Sequence, residues 1–347
     1  MRDLVELLGV ERPIVLGPFG GLSSIELTAA VSERGGLGSY GLYGYDADRI
    51  LEAAAALRAA TGRPFALNLW LPNDEVEQVS ADDFSRYAQA LRPFFDELGL
   101  ELPERPDRFL PLFEAQFEAV LEARPAVVSF VFGVPSAAVI AAAHEQGIAV
   151  LGTATTVDEA LALERGGVDA VVATGPEAGG HRVSFLRPAE ESLVGIFALV
   201  PQVADAVDVP VIAAGGIADR RSVAAAFALG ASGVQVGTAF LRTEQSAAND
   251  AHRRAITQAT AHGTVLTRAM SGRLARGIPN RAIRTIEAAG AIAPFPVQNW
   301  LTGRFRAEAG RRGVGELQSL WAGQAAPLAR ERDADAVFDE LAAGLPA

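Results

Sequence analysis

Neither cysteine nor lysine occurs among the 347 residues of this chain, and all 30 of its basic residues are arginine. Without cysteine there is no disulfide, no thiolate nucleophile, no Cys-ligated zinc and no iron–sulfur cluster. Without lysine there is no Schiff-base chemistry, and no P-loop, whose lysine has to reach the phosphates. Histidine is scarce too. The four, His144, His181, His252 and His262, show no HExxH or other ligand spacing, so no metal site is expected. The net charge of -12, with no basic stripe interleaved with aromatics, argues against a nucleic-acid partner. No apolar run is long enough to span a membrane, and residues 1–9 alternate charged and apolar side chains instead of reading as a leader. The expected setting is the cytoplasm, with no membrane partner.

What the chain does have is a repeating pattern. Short runs of Val, Ile, Leu and Phe, each followed by an Ala-rich segment of helical period, read as parallel strands buried on both faces and joined by crossover helices. Eight strands are expected, at Ile14–Leu16, Leu37–Gly41, Phe65–Leu69, Ala126–Val131, Ala149–Gly152, Ala170–Ala173, Val211–Ala214 and Gly233–Val236. That count gives an α/β fold, a (β/α)₈ TIM barrel over residues 1–241. Periodicity alone also allows a doubly wound sheet. About 55 residues between the third and fourth strands form a helical insertion, at about 72–125, able to serve as a lid. After Thr238 longer polar helices are expected at Ala247–Ala261, Asn280–Ala289, Trp300–Arg311 and Gly315–Ala322, so residues 242–347 are assigned to a helical subdomain at the barrel mouth.

Two consecutive strands end in glycine, in Ala213-Ala214-Gly215-Gly216-Ile217 and Gln235-Val236-Gly237-Thr238. Phosphate binding needs unhindered backbone N–H groups, and barrels place such a site after their seventh and eighth strands. Either pair alone could be a mere turn; two pairs one βα unit apart point to a phosphate. The loop after the sixth strand, Thr174-Gly175-Pro176-Glu177-Ala178-Gly179-Gly180-His181-Arg182, puts an imidazole at the barrel mouth, and His181 is the candidate base. His144, His252 and His262 read as structural or solvated. Asn68, at the end of the third strand, offers a carboxamide that can donate to and accept from a flavin ring. The Gly17-Pro18-Phe19-Gly20-Gly21 loop allows close approach of backbone to a ligand, or is only a turn. In Ser271-Gly272-Arg273-Leu274-Ala275-Arg276-Gly277 two arginines alternate with small residues, as a surface turn or as part of a site.

Together with Pro296-Val297-Gln298-Asn299-Trp300-Leu301 and Leu320-Trp321-Ala322-Gly323-Gln324, these segments resemble the nitronate monooxygenase family, formerly called 2-nitropropane dioxygenases, over nearly the whole chain. The resemblance implies a flavoprotein monooxygenase that holds FMN. The cofactor contacts it implies are Asn68, Gly179, Gly216, Gln235, Val236, Gly237 and Thr238, with His181 as catalytic base; Gly180 and Gly215, from the glycine-rich loops, and Thr174, at a position that touches the cofactor in the family, are added to the expected cofactor-binding set. The implied partners are a small nitronate or nitroalkane and O₂, oxidised to a carbonyl compound and nitrite; association into a homo-oligomer is left open. Thr174 stands where the family usually carries a glutamine, and Phe19 where it often carries methionine. Two other readings share the loops: an FMN-dependent enoyl-ACP reductase using NAD(P)H, and a flavin-binding barrel without catalysis. IMP dehydrogenase-like chemistry needs a cysteine and is excluded.

Overall fold

The computed structural model describes residues 3–72 and 79–346. Eight parallel strands form one sheet: β1 (Ile14–Leu16), β2 (Gly38–Gly41), β3 (Phe65–Trp70), β4 (Val127–Val131), β5 (Ala149–Ala154), β6 (Ala170–Thr174), β8 (Val211–Ala214) and β9 (Gly233–Val236). Three short strands, β7 (Gly180–His181), β10 (Val265–Thr267) and β11 (Ala275–Gly277), make a separate antiparallel sheet. In the large sheet β1 pairs with β9, and a parallel bridge between Val15 and Leu37 closes the circuit at the start of β2. The product is a TIM barrel, not the open doubly wound sheet.

Period-two alternation sorts the strand residues. Val15, Ala66, Val127, Leu151, Val172 and Ile212 meet one another inside the barrel, while Ile14, Leu67, Val128, Val150, Val171 and Val211 pack outward against the helices. The inner cluster also takes Leu4 and Leu8 from a short helix, Leu4–Leu8, capped by Asp3 and ended by left-handed Gly9. The alternating charged and apolar residues there are thus a plug for the barrel floor, an element the sequence pattern alone did not separate from a loop.

Residues 73–78 of the expected insertion lie outside the described residues. Beyond them, the helices Ala81–Ala90 and Arg92–Leu98 join the tail helices Arg281–Ala289 and Val297–Arg311 in a second apolar cluster, through Phe84, Phe94, Phe95, Ile283, Leu301 and Phe305. Helix Phe113–Ala123 packs instead on Ala47–Ala60 as an ordinary crossover, and the last helix, Ala334–Ala342, returns to the barrel core through Val337, Phe338 and Leu341. The helix expected at Gly315–Ala322 is a single 3₁₀ turn, Gly315–Leu317. After it the chain runs extended, because the Leu320 carbonyl accepts from Ile278 N and Trp321 bridges Gly277 at the edge of β11. No described helix is long and apolar enough to cross a membrane.

Candidate active site

The inner face of the barrel changes character toward the carboxyl ends of its strands. Below, the inward positions are apolar; one step higher they are Asn68, Ser129, Thr153, Thr174 and Gln235, and these open into a cavity of about 760 Å³. The same alternation turns Val236 outward. It is buried in the outer core, contributes nothing to the cavity, and its carbonyl accepts from Gly17 N at 2.8 Å. Of the ten positions expected to hold a cofactor, Val236 alone is absent from the cavity wall.

The two glycine pairs leave neighbouring strands, since Ala214 and Gln235 are register partners of β8 and β9. Among the described residues, the N–H groups of Gly215, Gly216, Gly237 and Thr238 have no protein acceptor. Buried or cavity-facing backbone donors are nearly always paired, and four converging ones can hold an oxygen-rich anion. Gly216 sits at φ +70°, where glycine is favoured.

Gly179 has a different reason for lacking a side chain. A Cβ there would lie 2.7 Å from the Ala322 carbonyl carbon and the Gly323 nitrogen, because the tail loop presses onto the loop after β6. Gly323 N donates to Thr238 Oγ1 at 2.9 Å and Gln324 N to the Glu177 carbonyl at 2.9 Å, tying the tail to both loops. Asn68 Nδ2 is engaged by Ser129, through its carbonyl at 3.2 Å and Oγ at 3.0 Å, which fixes the carboxamide at the mouth. Thr174 is buried, and its carbonyl accepts from the buried Arg182 at 3.0 Å, as the Gly175 carbonyl does at 2.6 Å. Arg182 therefore pins the loop that carries His181.

His181 belongs to β7, paired with Ala275 of β11, so its place is set by a strand nearly a hundred residues away. Its Nε2 lies 2.8 Å from Ser271 Oγ, which in turn donates to the Arg273 carbonyl at 3.1 Å. Trp70, Trp321 and Phe132 surround the ring, with centroids at 5.0, 5.5 and 6.4 Å. Burial, and then the charges of Arg273 and Arg306, push the imidazole down to about 3. His181 is neutral at every physiological pH.

Arg273 and Arg276 are buried, which excludes the surface-turn reading of their segment. Arg273 lies between two rings, 4.0 Å from the centroids of Phe132 and Phe295, and Arg276 reaches the Pro176 carbonyl. Sequence reasoning missed Tyr43, Trp70, Ser271, Arg306 and Trp321 as cavity or site residues. Ser271 and Trp321 stood inside segments already singled out, and Trp70 directly follows the expected third strand; nothing local marks Tyr43 or Arg306.

His252 is not solvated. It is 2% exposed, its Nε2 lies 2.9 Å from the Trp321 carbonyl, and burial pushes it down to about 4. A base depressed in the folded state leaves stability intact above its unfolded pKa of about 6.5 and removes it as the unfolded chain takes up the proton, by up to about 1.4 kcal/mol per pH unit down to the folded value. Urea midpoints should therefore fall between pH 7 and 4.5 more steeply in the wild type than in His252→Asn. Parallel curves would show that His252 is not the titrating group.

The sequence model of the nitronate monooxygenase family matches residues 2–344. A probable nitronate monooxygenase of Staphylococcus aureus (strain MSSA476) is 38% identical over 340 residues, 97% of this chain and 95% of the relative. Another, of Staphylococcus haemolyticus (strain JCSC1435), is 38% identical over 349 residues, 98% of this chain and 96% of the relative. Among solved structures, nitroalkane oxidase from Streptomyces ansochromogenes superposes with a TM-score of 0.88 at 39% identity, covering 99% of this chain and 97% of that one. FabK from Thermotoga maritima follows at a TM-score of 0.76 and 29% identity, covering 98% and 95%. This chain is an oxidoreductase and belongs to the nitronate monooxygenase family.

Proposed function

We propose that the protein oxidises small alkyl nitronates, and nitroalkanes after loss of their α-proton, with O₂ to a carbonyl compound and nitrite, using FMN as resident cofactor and His181 as base. The observation that carries this reading is the convergence, on one cavity, of four backbone donors with no acceptor among the described residues and a half-buried, neutral imidazole. The residues fit FMN: Gly215, Gly216, Gly237 and Thr238 would hold its phosphate, and Asn68, Thr174 and Gln235 would border its ring system. When bound, FMN supplies acceptance of an electron pair from a carbanion and re-oxidation by O₂.

The chain's own part is to bind, orient and deprotonate. With Ser271 donating to the Arg273 carbonyl, its Oγ accepts from His181 Nε2–H, which leaves the lone pair on Nδ1 to take the α-proton. Trp70, Trp321 and Phe132 keep water from the ring, so a carbanion formed beside it is not quenched by solvent. The two arginines near His181 oppose its protonation and favour a substrate that carries negative charge.

Purified protein should show a flavin absorption spectrum that bleaches on anaerobic addition of ethyl nitronate and recovers in air with release of nitrite. A colourless protein that takes up no FMN would refute the cofactor. A yellow one that ignores nitronate but consumes NADH with an enoyl thioester would move the assignment to the reductase reading, which the likeness to FabK keeps in play.

A further inference from the structure

The cavity continues past His181 onto the tail, where helix Val297–Arg311 contributes Gly303, Ala307 and Gly310 to its wall, with Arg306 among them. Arg306 is held by three hydrogen bonds: from Nη1 to Ser319 Oγ at 2.9 Å, and from Nη2 to the Asn299 carbonyl at 3.0 Å and Asn299 Oδ1 at 2.7 Å. All three acceptors are neutral. Of the five N–H groups of a guanidinium, the Nε–H of this one is buried with no acceptor among the described residues.

Countercharge separates the half-buried Arg306 from Arg182 and Arg276. Arg182 and Arg276 both feel the Glu177 carboxylate, whereas among the described residues the one group that offsets the desolvation of Arg306 is the Tyr43 hydroxyl. Burial pushes Arg306 down to about 10, so it stays cationic at neutral pH. A cation drawn out of water without a countercharge is unfavourable. Gln318 carries a matching defect on the same cavity: its Oε1 accepts from Asn249 Nδ2 at 2.8 Å, while its Nε2 is buried without an acceptor.

Arg306 is linked to the reacting end of the cavity on two sides. Ser319, the acceptor of Arg306, stands two residues before Trp321, whose ring centroid lies 5.5 Å from that of His181. On the other side Asn299 Nδ2 donates to the Tyr43 hydroxyl at 2.8 Å, Tyr43 lies 4.4 Å from Trp70, and Trp70 lies 5.0 Å from His181.

We infer that Arg306 and Gln318 seat the anionic end of the substrate, a planar two-oxygen group such as a nitronate or a carboxylate, and so select anions over neutral analogues of the same shape. A guanidinium offers donors in the geometry two such oxygens accept, and the anion supplies the missing countercharge. The identity of the reacting substrate rests on the proposed nitronate chemistry; the anion seat itself does not.

The test is calorimetric titration of the purified protein with sodium propionate, sodium nitrite and propionamide, beside steady-state kinetics on ethyl nitronate. The wild type should bind propionate and nitrite at least about tenfold more tightly than propionamide. Arg306→Met should weaken the anions by about tenfold or more with flavin content unchanged, Arg306→Lys should recover part of the loss, and Gln318→Leu should show a smaller effect. If KM for ethyl nitronate rises in Arg306→Met more than kcat falls, the seat takes the nitronate's own oxygens. If only propionate weakens, it takes a carboxylate elsewhere on a longer substrate. Anion binding lost in Arg306→Met, in a protein that never oxidises nitronates, would keep the seat and remove the nitronate reading. Propionamide binding as well as propionate to the wild type, a comparison that needs no variant, would overturn the seat, as would propionate and ethyl nitronate both unchanged in Arg306→Met.

Discussion

His181→Asn should lower kcat/KM for nitroethane by about 10²- to 10⁴-fold while leaving that for ethyl nitronate within about tenfold. The difference follows from where the proton is. The neutral nitroalkane must lose its α-proton to the imidazole, whereas the nitronate arrives already ionised. Protonating His181 places a third positive charge beside Arg273 and Arg306, and burial adds to that cost. The step becomes accessible only because the nitronate's negative charge forms at the same moment. The wild type should therefore prefer preformed nitronates. Because the imidazole of the free protein is held at about 3, kcat/KM for nitroethane should stay flat from pH 8 to about 5. An inflection near 6.5 would mean an ordinary solvated histidine, and equal losses on both substrates in the variant would remove the proton-transfer role.

Gly216→Val should empty the flavin site in a protein that still folds. At φ +70° a β-branched residue is strained by about 1–3 kcal/mol, and relief comes from rotating the peptide whose N–H has no acceptor among the described residues. Crowding is not the cause, since a Cβ at this position would lie 3.6 Å from the Glu177 Cβ, ordinary contact. Gly216→Ala should accordingly retain more flavin than Gly216→Val. Visible absorbance per protein, with circular dichroism to establish the fold, measures both. Full flavin content in Gly216→Val would mean that the phosphate is held elsewhere.

The glycine pairs and His181 were legible because each is local: a buried strand, a small-residue turn, then a chemically distinctive residue. Val236 was overcounted because a family stretch was read as a block, when period-two alternation already turned every second side chain away. Gly179 was assigned to a cofactor contact, yet its missing Cβ makes room for Gly323, a partner almost 150 residues later. His252 was left as structural or solvated because its helix is polar overall; the extended chain of Trp321 covers it.

By itself the sequence determined a parallel α/β fold and the chemistry it lacks. Eight apolar strands with helices between them bury both faces of a parallel sheet either as a barrel or doubly wound, and the bridge from Val15 to Leu37 decides for closure. A chain without cysteine or lysine cannot borrow their nucleophiles. Tertiary structure alone decided the far wall of the site. β11 aligns His181, Ser271 orients it, and Arg306 reaches the cavity from helix Val297–Arg311, whose apolar face packs into a core shared with the helices after β3. Burial and countercharge are sums over neighbours distant in sequence, so no local pattern could have shown that this cavity holds an arginine whose buried Nε–H has no acceptor among the described residues.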